Sequence, residues 1–257
     1  MGGGNTGTGT NPTGTLAASV AATVPTAVVA GQKVRTAAVE VSVTNPTAAR
    51  IVGPVGLALF ASTDAVLDAA DPAVLTVTKK LAIGPGQTTI VSLKVRAVPA
   101  GAAAAGTYRI VGRVTAPDQS VTAAAAPTTF ALAAPFVDLA GALTAAPAGI
   151  LPAGRKASAV VRVENLGNVR AAGPVTLSFA ASADQAASSD DAALVAKSVK
   201  LSLNPGKSRS VRVNFVPPAS LPAGTYYLTV AIAASGQSAD PDAANNLLVS
   251  AVPFTIG

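Results

Sequence analysis

The chain has 257 residues, of which 50% are hydrophobic, 4% aromatic and 12% charged, and its formal net charge is +6. It contains neither cysteine nor histidine, which excludes disulfides, thiolate chemistry and zinc sites built on those two ligands. The missing histidine also removes the commonest general base of enzymes.

The length allows one large domain or two domains of about 100–130 residues. No apolar run approaches the ~18 residues of a membrane-spanning helix, so we expect no membrane insertion. The first stretch, "MGGGNTGTGTNPTGT", lacks the basic and apolar regions of a signal peptide. We therefore expect residues 1–15 to be a flexible lead-in and any export signal to lie outside this sequence.

One sequence pattern occurs twice at a nearly constant spacing, which indicates two copies of one domain. Asn45 and Asn165 are 120 positions apart in the sequence (165 − 45), and Gly106 and Gly224 are 118 positions apart (224 − 106). The other pairs at 120 are Gly53 with Gly173, Asp64 with Asp184, and Pro85 with Pro205. The predicted domains are residues 16–135 and 136–257.

Apolar and polar residues alternate within each copy, beginning with "LAASVAATV" from Leu16 to Val24. This period of two is typical of half-buried antiparallel strands, and no segment shows a sustained helical period. Seven strands per copy, with turns every 8–12 residues, predict an all-β fold of two tandem immunoglobulin-like antiparallel β-sandwiches. In the second copy the strands are expected near 137–144, 158–164, 174–181, 194–203, 208–216, 225–233 and 248–256.

Turns and tyrosines add detail to this prediction. The segments Gly84–Gly86 and Asn204–Gly206 are expected to be hairpin turns, in which proline presets φ and glycine accepts a positive φ. Tyr108 and Tyr226 each follow a Gly-Thr pair. Each is either a corner tyrosine that bonds back to the backbone or a plain core aromatic.

An acidic loop follows the same strand in both copies. The carboxylates of these two loops are Asp64, Asp68 and Asp71, and Asp184, Asp190 and Asp191. Clustered carboxylates can bind calcium, which takes six to eight oxygens, but the spacing fits no EF-hand. The alternative is that aspartate and serine cap a short turn and keep the crossover soluble. We favour the turn and keep calcium, the one cofactor considered, as the second hypothesis.

A further oxygen-rich loop occurs only in the second copy, at Asp240, Asp242, Asn245 and Asn246. We expect an Asx-rich turn there. Catalysis is not predicted, because glycosidases need two paired carboxylates and the only glutamates, Glu40 and Glu164, lie on polar faces of predicted strands.

The basic residues are spread singly along strands, as at Lys94, Arg96, Arg162 and Arg209. Nucleic-acid binding would need clustered cations interleaved with stacking aromatics, and the chain has no tryptophan. We therefore predict no nucleic-acid partner, and we expect solvated sheet faces that contact anionic cell-surface polysaccharide, neighbouring domains or copies of the same chain.

Five segments in order resemble the CARDB type of bacterial cell-adhesion-related domain. In the second copy they are "VRVENLGN", "GPVTLSFAASAD", "LNPGKSRSVRVNF", "LPAGTYYLTVAI" and "ADPDAANN". The first copy departs from the pattern, with "TNPTAA" in place of "NLGN" and "APDQSVTAAAA" in place of the last segment. The resemblance implies an extracellular, non-enzymatic, Ig-like module without defined catalytic residues.

Composition, repeat and resemblance together predict a structural or adhesive module of a bacterial surface protein, such as a stalk, spacer or adhesin repeat. Two alternatives remain open. One is an extracellular fibre subunit that exchanges its N-terminal strand with a neighbour. The other is a carbohydrate-binding module, although three tyrosines and no tryptophan give little material for a flat aromatic platform.

Overall fold

A computed structural model describes residues 15–35, 37–101, 103–152, 154–234, 240 and 242–257. The chain divides into two compact units, one ending at Ala134 and the other beginning at Pro135. The predicted lead-in lies outside the described residues except for Thr15. No helix in the described part of the chain is long and apolar enough to cross a membrane.

The first unit consists of two sheets, with strand orders β1-β3-β6 and β2-β8-β7-β4-β5. All pairs are antiparallel except the short parallel pair of β2 with β8. The strands are β1 (Ala17–Thr23), β2 (Ala27–Val29), β3 (Ala38–Thr44), β4 (Ile51–Ser62), β5 (Ala73–Ile83), β6 (Thr88–Lys94), β7 (Gly106–Thr115) and β8 (Val121–Ala133).

The second unit repeats this topology. Its sheets have the orders β9-β11-β14 and β10-β17-β15-β12-β13, and β16 also pairs with β15. The strands are β9 (Leu139–Ala145), β10 (Gly149–Leu151), β11 (Ala157–Asn165), β12 (Ala171–Ser182), β13 (Ala192–Leu203), β14 (Ser208–Phe215), β15 (Gly224–Ala234), β16 (Leu247–Val249) and β17 (Phe254–Ile256). A short 3₁₀ helix, Ala243–Asn246, precedes β16.

The alternation of the sequence explains the core of each unit. Val39, Val41 and Val43 on β3 are at most 1% exposed, and Leu57 and Leu59 on β4 of the other sheet belong to the same apolar cluster. Side chains of a strand point alternately to its two faces, so this spacing turns every second residue into the layer between the sheets. The predicted all-β, Ig-like sandwich class is confirmed.

The strand predicted at 248–256 is wrong, because the structure has two short strands there. The Ser250 hydroxyl accepts a hydrogen bond from the Leu228 N–H and donates to the Val252 carbonyl, which turns the chain out of the ladder. Pro253 then lacks the N–H that a continuous ladder would require. The short strand β10 (Gly149–Leu151), which pairs with β17, was not predicted at all.

The two hairpin turns form as expected. Gly86 has φ +66° and Gly206 has φ +68°, a left-handed conformation that favours glycine. The Gln87 N–H donates to the Gly84 carbonyl at 3.1 Å, and Lys207 bonds to Asn204 in the same way at 3.0 Å.

In the first unit the chain enters and leaves at opposite ends. Thr122 and Thr128 of β8 donate hydroxyl bonds to the carbonyls of Leu16 and Ala22, so β1 and β8 run side by side in one direction. The unit therefore begins beside the start of β8 and finishes at its far end, about 40 Å away for a strand of 13 residues.

In the second unit the chain likewise enters at one end and leaves at the other. Leu139, at the start of β9, bonds to Asp240 near the 3₁₀ helix, whereas Ile256 pairs with Gly224 at the other end of β15.

Long strands form one free edge of each larger sheet, β5 in the first unit and β13 in the second. Both carry exposed lysines, Lys79 and Lys80 on β5 and Lys197 on β13. Lysine at a sheet edge opposes pairing with another sheet.

Candidate functional site

The acidic loop of the first unit is a chain of local hydrogen bonds that starts from a buried serine. Ser62, 1% exposed, ends β4, and its hydroxyl lies 3.2 Å from the Val66 carbonyl and 3.3 Å from Asp64 Oδ1. Asp64 Oδ1 also accepts the Val66 N–H at 2.7 Å. These are the contacts of a capped turn.

The remaining two carboxylates of this loop also bind backbone. Asp68 Oδ1 accepts the Ala70 N–H at 2.7 Å, and Asp71 Oδ2 accepts the Asp68 N–H at 3.0 Å. Burial raises the pKa of Asp71, and the negative charges of Asp68 and Asp64 add to that rise, against the hydrogen bonds from the Asp68 N–H and Ser62.

The second acidic loop repeats the first half of this arrangement. Ser182, 2% exposed, donates to the Ala186 carbonyl at 2.9 Å, and Asp184 Oδ1 accepts the Ala186 N–H at the same distance. The single hydroxyl proton of Ser188 is shared between Asp190 and Asp191 Oδ1, and Asp191 Oδ2 accepts the Ser188 N–H at 3.2 Å.

Asp191 differs from its counterpart Asp71 in its hydrogen-bond donors. Burial opposes its ionisation, but hydrogen bonds from Ser182, Ser188 and Thr229 outweigh burial and hold the pKa of Asp191 below its ordinary value. The Thr229 hydroxyl lies 3.1 Å from Asp191 Oδ2. The corresponding position in the first unit is Val111 (229 − 118), which has no hydroxyl to donate.

The structure thus places all six predicted aspartates in the two crossover loops and shows local partners for each of them. Within the described residues, no three acidic side chains converge into a group that could hold a metal ion. The capped turn accounts for the bonds that these carboxylates make. Calcium at Asp64, Asp68, Asp71, Asp184, Asp190 and Asp191 stays a prediction.

The oxygen-rich loop of the second unit ties the beginning of that unit to its end. Asp240 Oδ2 accepts the Leu139 N–H and an Asn246 amide hydrogen, both at 3.0 Å, and Asn245 donates to Asp138 at 2.9 Å. Asp242 caps the 3₁₀ helix by accepting the Ala244 N–H. The predicted Asx-rich turn is present, and it clamps residues about 100 positions apart.

The first unit achieves the same closure with a different sequence. Asp118 accepts bonds from the Thr15 hydroxyl and from Ser120, and the Ser120 hydroxyl accepts the Thr15 N–H at 2.9 Å. These bonds, first among them that from Thr15, lower the pKa of Asp118. Each unit therefore uses an aspartate loop to hold its own first residues.

A buried asparagine organises each unit and was not recognised as more than a repeat marker. Asn45 is fully buried, and its Nδ2 donates to the carbonyls of Ile83 at 3.0 Å and Ala49 at 2.7 Å. Its backbone bonds to Gln87 and Gly86 of the hairpin turn. The side chain and backbone of Asn45 therefore join the end of β3 to the end of β5 and to the turn before β6.

Asn165 makes the equivalent bonds in the second unit. Its Nδ2 donates to Leu203 at 3.0 Å and Val169 at 2.8 Å, and its backbone bonds to Lys207 and Gly206. The available sequence signal was an asparagine at the end of the same strand in both copies.

Both candidate tyrosines have a defined role. The Tyr108 hydroxyl donates to the Ala104 carbonyl, and the Tyr226 hydroxyl donates to the Pro222 carbonyl, each at 3.0 Å and four residues upstream. Of the two alternatives that the sequence leaves open, the structure shows the corner tyrosine.

Comparison with known proteins finds a family model that matches residues of the second unit. Residues 143–250 match the CARDB family model. The CARDB match includes the second acidic loop and the whole oxygen-rich loop, and it confirms the resemblance seen in the sequence for these residues. CARDB is a family of non-catalytic domains typically found in extracellular proteins. The tandem arrangement of two such domains stays a prediction.

Several solved structures resemble the chain at low identity. A CARDB domain from Pyrococcus furiosus, in complex with di-metal ions, is 16% identical over 48% of this chain and 90% of its own, with a TM-score of 0.34. Red sea bream transglutaminase is 14% identical over 95% of this chain and 31% of its own, with a TM-score of 0.32. A β-glucosidase from Listeria innocua is 11% identical over 48% of this chain and 16% of its own, with a TM-score of 0.33. No curated protein matches the chain in sequence.

Proposed function

We propose that the chain is a non-enzymatic structural module of a bacterial extracellular or cell-surface protein, serving as a stalk or spacer. The observation that carries this proposal is the polarity of each unit, in which the chain enters at one end of the sandwich and leaves at the other. A unit whose first and last residues lie at opposite ends increases the length of the protein that contains it. The CARDB match supports the proposal, since that family is non-catalytic and typically extracellular.

The polar groups inside the units also support a structural role. The buried asparagines, the loop aspartates and the corner tyrosines all bond to backbone of their own unit. Such bonds fix loops and turns, because buried backbone groups that lose a partner are costly.

Single-molecule stretching of the chain between its ends tests the spacer role. We expect two unfolding events, each releasing roughly 400 Å, because about 120 residues extend to that length once the folded span is subtracted. The Asn165→Ala variant should weaken one event and leave the other unchanged. A single event, or extension without measurable resistance, would overturn the proposal.

The fibre alternative depends on β1 (Ala17–Thr23) leaving its own sheet. All seven residues of β1 pair with β3, and two β8 hydroxyls bond to the carbonyl of Leu16, just before β1, and to that of Ala22 within it. Exchange would have to replace these contacts with the same contacts in a neighbour. Electron microscopy over a range of protein concentrations tests this alternative, which monomers at every concentration would exclude.

Binding of neutral sugars would require exposed aromatic surface on which the sugar rings could stack. Tyr108 is 8% exposed, and the Tyr226 hydroxyl is bonded to backbone. A glycan array of neutral sugars tests this alternative, and an absence of hits would remove it.

A further inference from the structure

Four cations, from two segments about 60 residues apart in the sequence, surround one cleft in the first unit. The cleft has a volume of about 520 Å³, and its charged lining consists of Lys33, Arg35, Lys94 and Arg96. The rest of the lining is Val34, Ala37 and Val95. The expectation that basic residues are spread singly is therefore wrong at this place.

The backbone holds the two cationic segments together. The Val34 N–H donates to the Arg96 carbonyl and the Gly31 N–H to the Val98 carbonyl, both at 2.7 Å. These bonds fasten the loop between β2 and β3 to the segment that follows β6. The positions of the cations thus follow from the fold.

The four side chains are available to a ligand. All four residues are exposed, and no hydrogen bond or ion pair joins their side chains to another residue in the described part of the chain. Among the described residues, no acidic side chain lines the cleft. Glu40 lies two residues beyond Ala38, the register partner of Lys94, and stays outside the lining.

The sequence of the second copy does not repeat the four cations. The residues 120 positions further on are Ala153, Arg155, Asn214 and Val216, so three of the four cations have no counterpart. The repeat therefore does not require these cations, which belong to the sequence of the first copy.

We propose that this cleft binds an acidic polysaccharide through the carboxylates of successive uronic-acid residues. Four uncompensated cations attract a polyanion, and the concave surface fits a single extended chain better than a flat membrane. The described lining residues include no aromatic side chain on which nucleic-acid bases could stack. The proposal goes beyond the spacer role and does not rest on it.

The test measures binding of sodium polygalacturonate oligomers to the full chain by titration calorimetry at low salt. The double variant Lys94→Glu/Arg96→Glu should weaken binding at least about tenfold, because like charge now faces the ligand. The matched control is Lys79→Glu/Lys80→Glu, which changes the net charge equally on the β5 edge of the same unit. We expect the control to retain affinity within about twofold.

A second double variant separates a loss of binding from a loss of folding. Lys33→Gln/Arg35→Gln removes two cations without adding acids, and it should weaken binding several-fold while the melting midpoint stays that of the parent. The absence of binding by the parent, or equal loss in the cleft and control variants, would overturn the proposal. Tighter binding of single-stranded DNA, abolished by the same reversals, would also overturn it, in favour of a nucleic-acid site.

Discussion

The Nδ2 group of Asn165 donates a 3.0 Å hydrogen bond to the carbonyl oxygen of Leu203, at the end of a strand 38 residues further along the chain. Asn45 makes the same bond to Ile83 at the same distance and separation. Each unit therefore has its own buried asparagine hydrogen bond inside an otherwise apolar core. Removing one partner of such a bond leaves a buried group unsatisfied.

Asn165→Ala should destabilise the second unit by about 2–4 kcal/mol, because the carbonyls of Leu203 and Val169 both lose their donor. Peptide-resolved hydrogen exchange measures this loss separately in each unit. Asn204→Ala, at an exposed turn position, is the matched control and should cost less than about 0.5 kcal/mol. Equal effects of the two substitutions would contradict the proposed role of Asn165.

Tyr226→Phe should cost about 1 kcal/mol, because it removes the hydroxyl bond to the Pro222 carbonyl and keeps the ring that packs against Phe254. Tyr227→Phe is the control, since no hydrogen bond of that hydroxyl appears in the described structure. The free energy of unfolding of the second unit, from urea titration followed by NMR, is the readout. A larger loss for Tyr227→Phe would refute the corner assignment.

Asp71 and Asp191 occupy equivalent positions, and their ionisation should change the stability of the two units with opposite signs. Burial raises the pKa of Asp71 above 3.8, so the folded first unit holds this proton more tightly than the unfolded chain. Stability therefore falls as pH rises from about 3.8 through the folded value. Asp71→Asn should remove this fall and stabilise the first unit at pH 7 relative to the parent.

For Asp191, hydrogen bonds outweigh burial and hold the pKa below 3.8, so the sign reverses. Its contribution to stability is present above about 3.8 and is lost as pH falls through the folded value. Asp191→Asn should therefore destabilise the second unit at pH 7 and have little effect near pH 2. Hydrogen exchange of each variant against the parent at matched pH measures both effects, and shifts of the same sign would reject the assignment.

Thr229→Val tests the cause of this difference. It removes the hydroxyl that bonds to Asp191 and reproduces the valine found at 111 in the first unit. The pKa of the Asp191 carboxyl should rise, as followed by its ¹³C shift in an NMR titration. Thr225→Val, at an exposed position of the same strand, should leave that pKa unchanged.

Added calcium distinguishes the two interpretations of the acidic loops. Asp64 and Asp184 each already accept a backbone N–H, so we expect 5 mM Ca²⁺ to leave the melting midpoint close to its value in EDTA. A site with a Kd near ~50 μM would instead add about 2.7 kcal/mol. A calcium-dependent gain that disappears in Asp184→Ala would establish the calcium hypothesis.

The sequence predicted the strands well where burial alternates, as on β3 (Ala38–Thr44), because the period of two follows directly from strand geometry. It failed at 248–256, where Ser250 bonds to the neighbouring strand and interrupts the ladder. An apolar pattern does not show such a side-chain bond.

The polar features were harder to predict, since they depend on long-range contacts. Asp118 closes the first unit by bonding to Thr15, 103 residues away, although the sequence around it does not match the corresponding loop of the second unit. Lys33 and Lys94 are likewise brought to one cleft by backbone bonds between distant segments. Spacing along the chain cannot reveal such neighbours.

The exposed lysines of the outer strands β5 and β13 have a consequence for concentrated solutions. The outer edge of such a strand, 11 or 12 residues long, offers backbone N–H and C=O groups to any similar strand. Because positive charge on both partners opposes such pairing, we expect Lys79, Lys80 and Lys197 to affect association between molecules and not the fold of a single molecule. Acetylation of these amines should leave the melting midpoint in place and promote precipitation.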